Sequence, residues 1–478
     1  MSNIRNIILK RLQTEMFLNR ASNVTNSSLH INFCSISMPS LKKHMSTSSH
    51  ISEEQPSTLF RHFRTKILAT GPITVAEYMK ETLTNSSAGY YMHADVFGER
   101  GDFTTSPEIS QLFGEMLAVW LISEWEKIGC PKPFQIIELG PGRGTMLEDI
   151  LRVFRKFKLN KDLTVRLVEV STHLSKLQGA RLCRTLETCD NSVDNHYQKG
   201  DMEDSVPVFW HRSLQDVPRQ FSLVLAHEFF DALPIHKFKR TENGWREILI
   251  DLDYSTEDKL KFIIARNETP ACQFIKSSET RDHVEVSPES SVIIDSLATR
   301  LKEKGGIALI VDYGHNGEGE DTFRAYRKHE QIHPLDSPGS ADLTADVDFS
   351  YLKSSAGEGR VISFGPVTQK DFLLSMGINI RFEMLKAQCK NETDLLALET
   401  GLKMLTDEDQ MGSRFKFFSL FPAVLKDYFE KVPYATSSSL VLPDKWKNEH
   451  NPYLEKTCGF LNSEQSVTFT AIRSKSHQ

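Results

Sequence analysis

Ile136-Ile137-Glu138-Leu139-Gly140-Pro141-Gly142-Arg143-Gly144-Thr145 decides the fold. An apolar run ends in an acid, three glycines follow at alternate positions, and a helical pattern starts at Thr145. This is the entry to a nucleotide-type pocket, because glycine lets the backbone turn sharply and approach a ligand that a Cβ would push away. The spacing then selects the ligand. A dinucleotide fingerprint is G-x-G-x-x-G, which seats a pyrophosphate over the helix N-terminus; here the third glycine comes one residue early. Glu138 is a poor neighbour for a pyrophosphate and a good one for the cationic amino-acid end of S-adenosylmethionine. Glu138, Gly140, Gly142 and Gly144 are therefore read as a methyl-donor turn. Taken alone, the motif also fits a plain glycine-rich turn between a strand and a helix.

A second apolar run, Leu163 to Val170, carries Glu169, where a carboxylate can accept hydrogen bonds from both ribose hydroxyls. A third, Phe221 to Ala226, leads into His227-Glu228-Phe229-Phe230-Asp231. Apolar runs alternating with helical patterns predict a parallel sheet with helices on both faces and ligands at the carboxyl ends of its strands. The expected class is α/β, a class I S-adenosylmethionine-dependent methyltransferase (Rossmann-like) fold with an N-terminal helical cover and insertions.

Local signals place the other elements. Thr74 and Glu77 form a T-x-x-E capping box. Ser106-Pro107-Glu108 reads as an N-cap serine opening one long amphipathic helix, with Ile109, Leu112, Phe113, Met116, Leu117, Trp120 and Leu121 on the face that covers the first strand or the pocket mouth. Arg143 points to solvent or pairs with an acid. Ile235–Arg240 and Trp245–Asp251, joined through Asn243-Gly244, predict a hairpin. Ser287-Pro288-Glu289 starts a further helix and Gly305-Gly306 ends it, before a strand running into Asp312-Tyr313-Gly314. The acidic run Asp342 to Asp348 lacks the glycine and distal glutamate of an EF-hand, so Asp346 or Asp348 is expected to cap a helix, and no metal site is expected. The expected division is 1–50 transit peptide, 51–58 linker, 59–130 helical cover, 131–430 methyltransferase domain with the hairpin insertion at about 235–285, and 431–478 tail.

Composition narrows the function. The chain has 478 residues, 39% hydrophobic and 25% charged, as in ordinary soluble globular proteins. No apolar stretch approaches the roughly 18 residues of a membrane span. The first 50 residues hold six basic side chains against one acid and are rich in serine and asparagine, a mitochondrial transit composition. The remainder holds 51 basic and 62 acidic side chains, which argues against general nucleic-acid binding. Seven cysteines without metal spacing suggest free thiols in a reducing compartment. Oligomeric state is not legible.

Methyl transfer from a sulfonium is a displacement, in which the protein aligns nucleophile, methyl carbon and sulfur. A guanidinium acceptor stays protonated near neutrality and binds best to planar carboxylates. Glu228 and Asp231 are the candidates to hold it, and His227 the candidate to take the released proton. Both carboxylates are equally read as helix caps. The residues alone leave open a small-molecule methyltransferase or a non-catalytic assembly scaffold.

Five segments carry a resemblance: Gly101 to Ser110, Glu138 to Thr145, Ala226 to Pro234, Ala341 to Phe349 and Met411 to Phe415. In order and over roughly residues 60–430, the chain resembles the MidA-type mitochondrial protein arginine methyltransferases that serve as respiratory complex I assembly factors. The resemblance implies S-adenosylmethionine as donor and symmetric dimethylation of an arginine on iron-sulfur-protein subunit 2 of complex I. It also implies a matrix location and a role early in assembly. Carried over by position, Gly140, Gly142 and Gly144 form the donor turn and Glu169 holds the ribose.

Overall fold

The computed structural model describes residues 57–93, 105–189, 195–256 and 259–431. The expected transit peptide, residues 51–56 of the linker, the stretch Gly101 to Thr104, the tail from residue 432, and Cys34 and Cys458 lie outside the described residues.

The main path of the large sheet runs through β1 (Phe134–Leu139), β2 (Leu163–Val168), β3 (Thr185–Thr188), β4 (His196–Asp201), β5 (Pro207–His211), β6 (Ser222–His227), β7 (Gly306–His315), β8 (Val361–Thr368) and β9 (Phe415–Pro422), and the short strand Val347–Asp348 pairs with the end of β7. They lie in the order β8-β9-β7-β6-β1-β2-β5-β4-β3. The five central strands, β7, β6, β1, β2 and β5, are parallel. The flanking strands are antiparallel additions, so the expected parallel sheet is in fact mixed. β1 and β6 are buried along their whole length, as strands covered on both faces must be. The order reverses beside β1, and register sets the strand ends in a row: Leu139 pairs with both Val168 and Ala226, and His227 pairs with Val311.

The helices sort into two groups. α1 (Thr58–Thr70) and α2 (Val75–Thr84) bury Phe60, Phe63, Val75 and Tyr78 in one cluster with Ile235, Ile250 and Leu260 of the insertion. The Thr74 hydroxyl accepts the Glu77 amide at 3.0 Å, as the capping box requires. α3 (Gln111–Lys127) and α4 (Thr145–Lys156) pack on one face of the central sheet, where Leu112, Phe113, Leu147 and Ile150 meet Ile136 and Leu223. α5 (Thr172–Leu182) follows β2. α6 (Pro288–Lys304) and α7 (Phe349–Ala356) cover the other face through Ile294, Leu297 and Leu352. The stretch expected as one cover, 59–130, thus contributes to two different cores.

Two local expectations are corrected. The helix expected from Ser106 is two: a short helix, Ser106–Ile109, follows Thr105 with no side-chain cap, the helical path breaks at Ser110 with φ −160°, and the Ser110 hydroxyl caps α3. α3 is also buried on nearly every side rather than on one face. Its buried Glu115 is satisfied by Arg381 at 2.7 Å and Arg152 at 3.0 Å. The insertion does contain the expected hairpin, His236–Thr241 against Gly244–Leu252, within a five-stranded sheet that takes in Ile73–Thr74 near the N-terminus. Asp348 caps α7 through Tyr351 N at 3.0 Å, and Asp346 pairs with Arg324.

Candidate active site

The glycine turn leaves β1 with left-handed φ at Gly140 (62°), Gly142 (53°) and Gly144 (80°). At Gly140 the need for glycine is also steric, since an added Cβ would lie 2.8 Å from Cδ2 of Phe229. The turn is held from two sides. Gln178, on α5, donates from Nε2 to Gly142 O at 2.7 Å and to Glu169 Oε2 at 3.0 Å, while its Oε1 accepts from Trp210 at 2.8 Å. From the other side Glu108 accepts from the Thr145 hydroxyl and from Arg143 Nη1 at 3.4 Å, so Arg143 pairs with an acid.

A narrow cleft of about 50 Å³ lies between this turn and Thr105–Glu108, with Glu138, His227 and Glu228 in its walls. A larger opening of about 560 Å³ lies along Ile380, Glu383 and Met384 on a different surface. It has none of the strand ends that gather ligands in this class of sheet, so the cleft is the chemically relevant feature.

Glu138 is buried, its Oε2 has no hydrogen-bond partner, and burial pushes its carboxyl up to about 8. Glu169 is also buried and pushed up to about 7 by that burial, against the bonds it accepts from Ser171 N at 2.7 Å and from Gln178. Each Glu169 oxygen retains acceptor capacity for a further donor. An orphaned buried carboxylate beside a glycine turn that a Cβ would obstruct is a set of groups that fits S-adenosylmethionine, which carries a cationic amino-acid end.

One strand further on, Glu228 sits at φ 47°, unusual for a residue other than glycine or asparagine. Its Oε1 is buried without a hydrogen-bond partner, and so is Oδ1 of Asp231. Asp231 Oδ2 accepts from Thr344 Oγ1 at 2.9 Å and from the Tyr313 hydroxyl. Burial, with Asp231 close by, raises Glu228 well above the usual carboxylate range, and burial raises Asp231 as well. His227 Nε2 is 3.4 Å from Glu228 Oε1, within ion-pair distance. The imidazole is nonetheless neutral near pH 7, because burial pushes His227 down to about 3, and burial also raises the Glu228 carboxyl that faces it. Phe113 and Phe415 flank the imidazole.

The structure therefore brings Glu138, Gly140, Gly142, Glu169, His227, Glu228 and Asp231 to one edge of the sheet. Gly144 belongs to the same turn as the first residue before α4. Sequence reasoning missed Glu108, Gln178 and Asp342, the last of which accepts the Tyr91 hydroxyl at 2.6 Å beside Asp231. All three act across long sequence separations and carry no local signal.

The family model of S-adenosyl-L-methionine-dependent methyltransferases matches residues 116–367. The chain is 48% identical over 384 residues to the Homo sapiens protein named protein arginine methyltransferase NDUFAF7, mitochondrial, covering 80% of this chain and 87% of that one. It is 50% identical over 383 residues to the Xenopus tropicalis protein of the same name, covering 79% and 88%. In fold it resembles a Burkholderia thailandensis protein bound to S-adenosyl-homocysteine, with TM-score 0.61, 22% identity, and coverage of 77% of this chain and 92% of that one.

Proposed function

The chain belongs to the family of S-adenosyl-L-methionine-dependent methyltransferases that includes the mitochondrial protein arginine methyltransferases, and on that premise we propose that it dimethylates, symmetrically, an arginine of iron-sulfur-protein subunit 2 of complex I. The matrix is the proposed place of action. The observation that carries the arginine reading is the pair of buried carboxylates beside the donor turn, with Asp231 Oδ1 making no hydrogen bond and Glu228 Oε1 making none beyond its 3.4 Å contact with His227. A guanidinium brings a permanent charge and five N–H donors in a plane, the complement of two desolvated carboxylates.

S-adenosylmethionine supplies the methyl group as an electrophilic carbon on a sulfonium. Glu138 would face the cationic end, Gly140, Gly142 and Gly144 would leave room for the donor, and Glu169 would accept from the ribose. Glu228 and Asp231 hold the guanidinium and turn one nitrogen toward the methyl carbon. As the N–C bond forms and the S–C bond breaks, that nitrogen gives up a proton and the thioether leaves.

The proton goes to one of the two carboxylates. His227, the residue first expected to take it, is a weak base at about 3 and serves better as a neutral neighbour that keeps Glu228 in place. The test is mass spectrometry of recombinant subunit 2 after incubation with this protein and the donor. Methylation of one arginine, lost when that arginine is changed to lysine, is expected; methylation that persists after the change contradicts the arginine assignment.

A further inference from the structure

We propose that Asp312 is the positioning residue of this site: its carboxylate collects the backbone amides of the turn that carries Glu228 and Asp231, and so sets both carboxylates against the donor turn. This rests on the reading of Glu228 and Asp231 as the acceptor-binding pair.

Strand pairing ends where Glu228 N donates to Val311 O at 3.0 Å. The next three amides have left the ladder and are part of a buried edge, where an unpaired N–H is costly. Asp312 Oδ2 accepts all three, from Phe229 at 3.2 Å, Phe230 at 3.0 Å and Asp231 at 3.4 Å. Its Oδ1 accepts Tyr313 N at 3.1 Å. One buried side chain thus pins a turn whose first residue has a left-handed backbone.

The turn reaches both halves of the site. The Phe229 ring lies directly against Gly140 of the donor turn. At the other end Asp231 Oδ2 accepts from the hydroxyls of Thr344 and of Tyr313, the residue that follows Asp312, which leaves Oδ1 as the open oxygen. Displacing the turn would move both carboxylates and the wall of the donor cleft together.

Asp312 acts on the turn through the lone pairs of its two oxygens. It is wholly buried, and that burial, together with Asp231 and Glu228, raises its carboxyl well above the usual range. Asparagine keeps a carbonyl oxygen at the same place, whereas alanine leaves the three amides without an acceptor.

The test compares Asp312→Ala and Asp312→Asn in the full chain. The readouts are hydrogen exchange at the Phe229, Phe230 and Asp231 amides, donor affinity by calorimetry, and single-turnover methyl transfer to complex I subunit 2. Asp312→Ala is expected to speed exchange at those amides by at least about tenfold. It is also expected to slow transfer by about a hundredfold, the cost of a roughly 1 Å misplacement, and to weaken donor binding by a smaller factor as the Phe229 wall shifts. Asp312→Asn is expected to restore amide protection and most of the transfer. Intact protection in Asp312→Ala, or an Asp312→Asn protein as impaired as Asp312→Ala, overturns the proposal. If Asp312→Ala does not fold, lost protection at these amides in folded Asp312→Asn overturns it equally. Failure of the underlying reading is seen separately, as full transfer by Glu228→Gln and Asp231→Asn, and the exchange pattern still judges the role of Asp312.

Discussion

At the scale of single residues the site is a set of carboxylates kept out of water. Glu138 shows what that does: with its carboxyl near 8 it is mostly protonated at neutral pH, and only a bound cation makes the ionised form favourable. The sign follows. Donor binding stabilises the ionised form, so a proton is expelled, and between about pH 6 and 7.5 donor affinity rises with pH toward the point where free Glu138 ionises. Calorimetry at pH 7 in buffers of different ionisation enthalpy is expected to show proton release by the native protein. Glu138→Gln is expected to release close to one proton fewer and to bind the donor more weakly by roughly 1.5–3 kcal/mol, the worth of a hydrogen bond to a charged group. Equal proton release by the two proteins would remove Glu138 from the donor's cationic end. The position of Glu138 before the glycines is readable in the sequence; its orphaned oxygen is not, because burial is set by β2, β6 and the Thr105–Glu108 segment together.

At the scale of elements, β1, β2, β6, α4 and the Thr74 and Ser287 caps were legible, since an apolar run or a capping residue is a local signal. β3 and β4 were not. All of β3 is exposed and β4 alternates around polar residues, so neither has the apolar run that marks a buried strand. α3 was expected, but with its N-cap at Ser106 rather than Ser110 and only one face buried, because a helix packed on the sheet, α4 and Arg381 has no solvent face to reveal. The least legible element is the Glu228–Asp231 turn, whose shape depends on an aspartate more than 80 residues later in the chain. Its contact with the donor turn gives a prediction. Gly140→Ala drives a Cβ against Phe229 at 2.8 Å, whereas at Gly144 the nearest atom is a Leu182 methyl at an ordinary 3.5 Å. Both changes carry the left-handed backbone penalty of about 1–3 kcal/mol. Gly140→Ala is expected to lose more donor affinity and more thermal stability than Gly144→Ala, by calorimetry and thermal unfolding. Equal losses would show that the Phe229 contact does not matter.

At the scale of the whole described molecule, two cores meet near the site. The central sheet supplies the donor turn and the Glu228–Asp231 turn, while the cluster built by α1, α2 and the insertion begins just beyond, at Ile235, and includes Leu343 beside Thr344. Tyr91, from the N-terminal part, reaches Asp342 on the same side as Asp231. The donor side is thus walled by the sheet's own turn, and the carboxylate side by segments added to it. In a sheet that binds ligands at its strand ends, such added segments are where acceptor choice is made. The central claim is that one edge of the sheet both binds the methyl donor and holds the acceptor arginine through Glu228 and Asp231. Single-turnover methyl transfer to complex I subunit 2 by Glu228→Gln and Asp231→Asn, with donor affinity measured on the same samples, tests it most directly. Donor affinity close to native with transfer slowed by about 10²–10³, the usual cost of removing a preorganised electrostatic contact, is the predicted result; native transfer rates in both variants would contradict it.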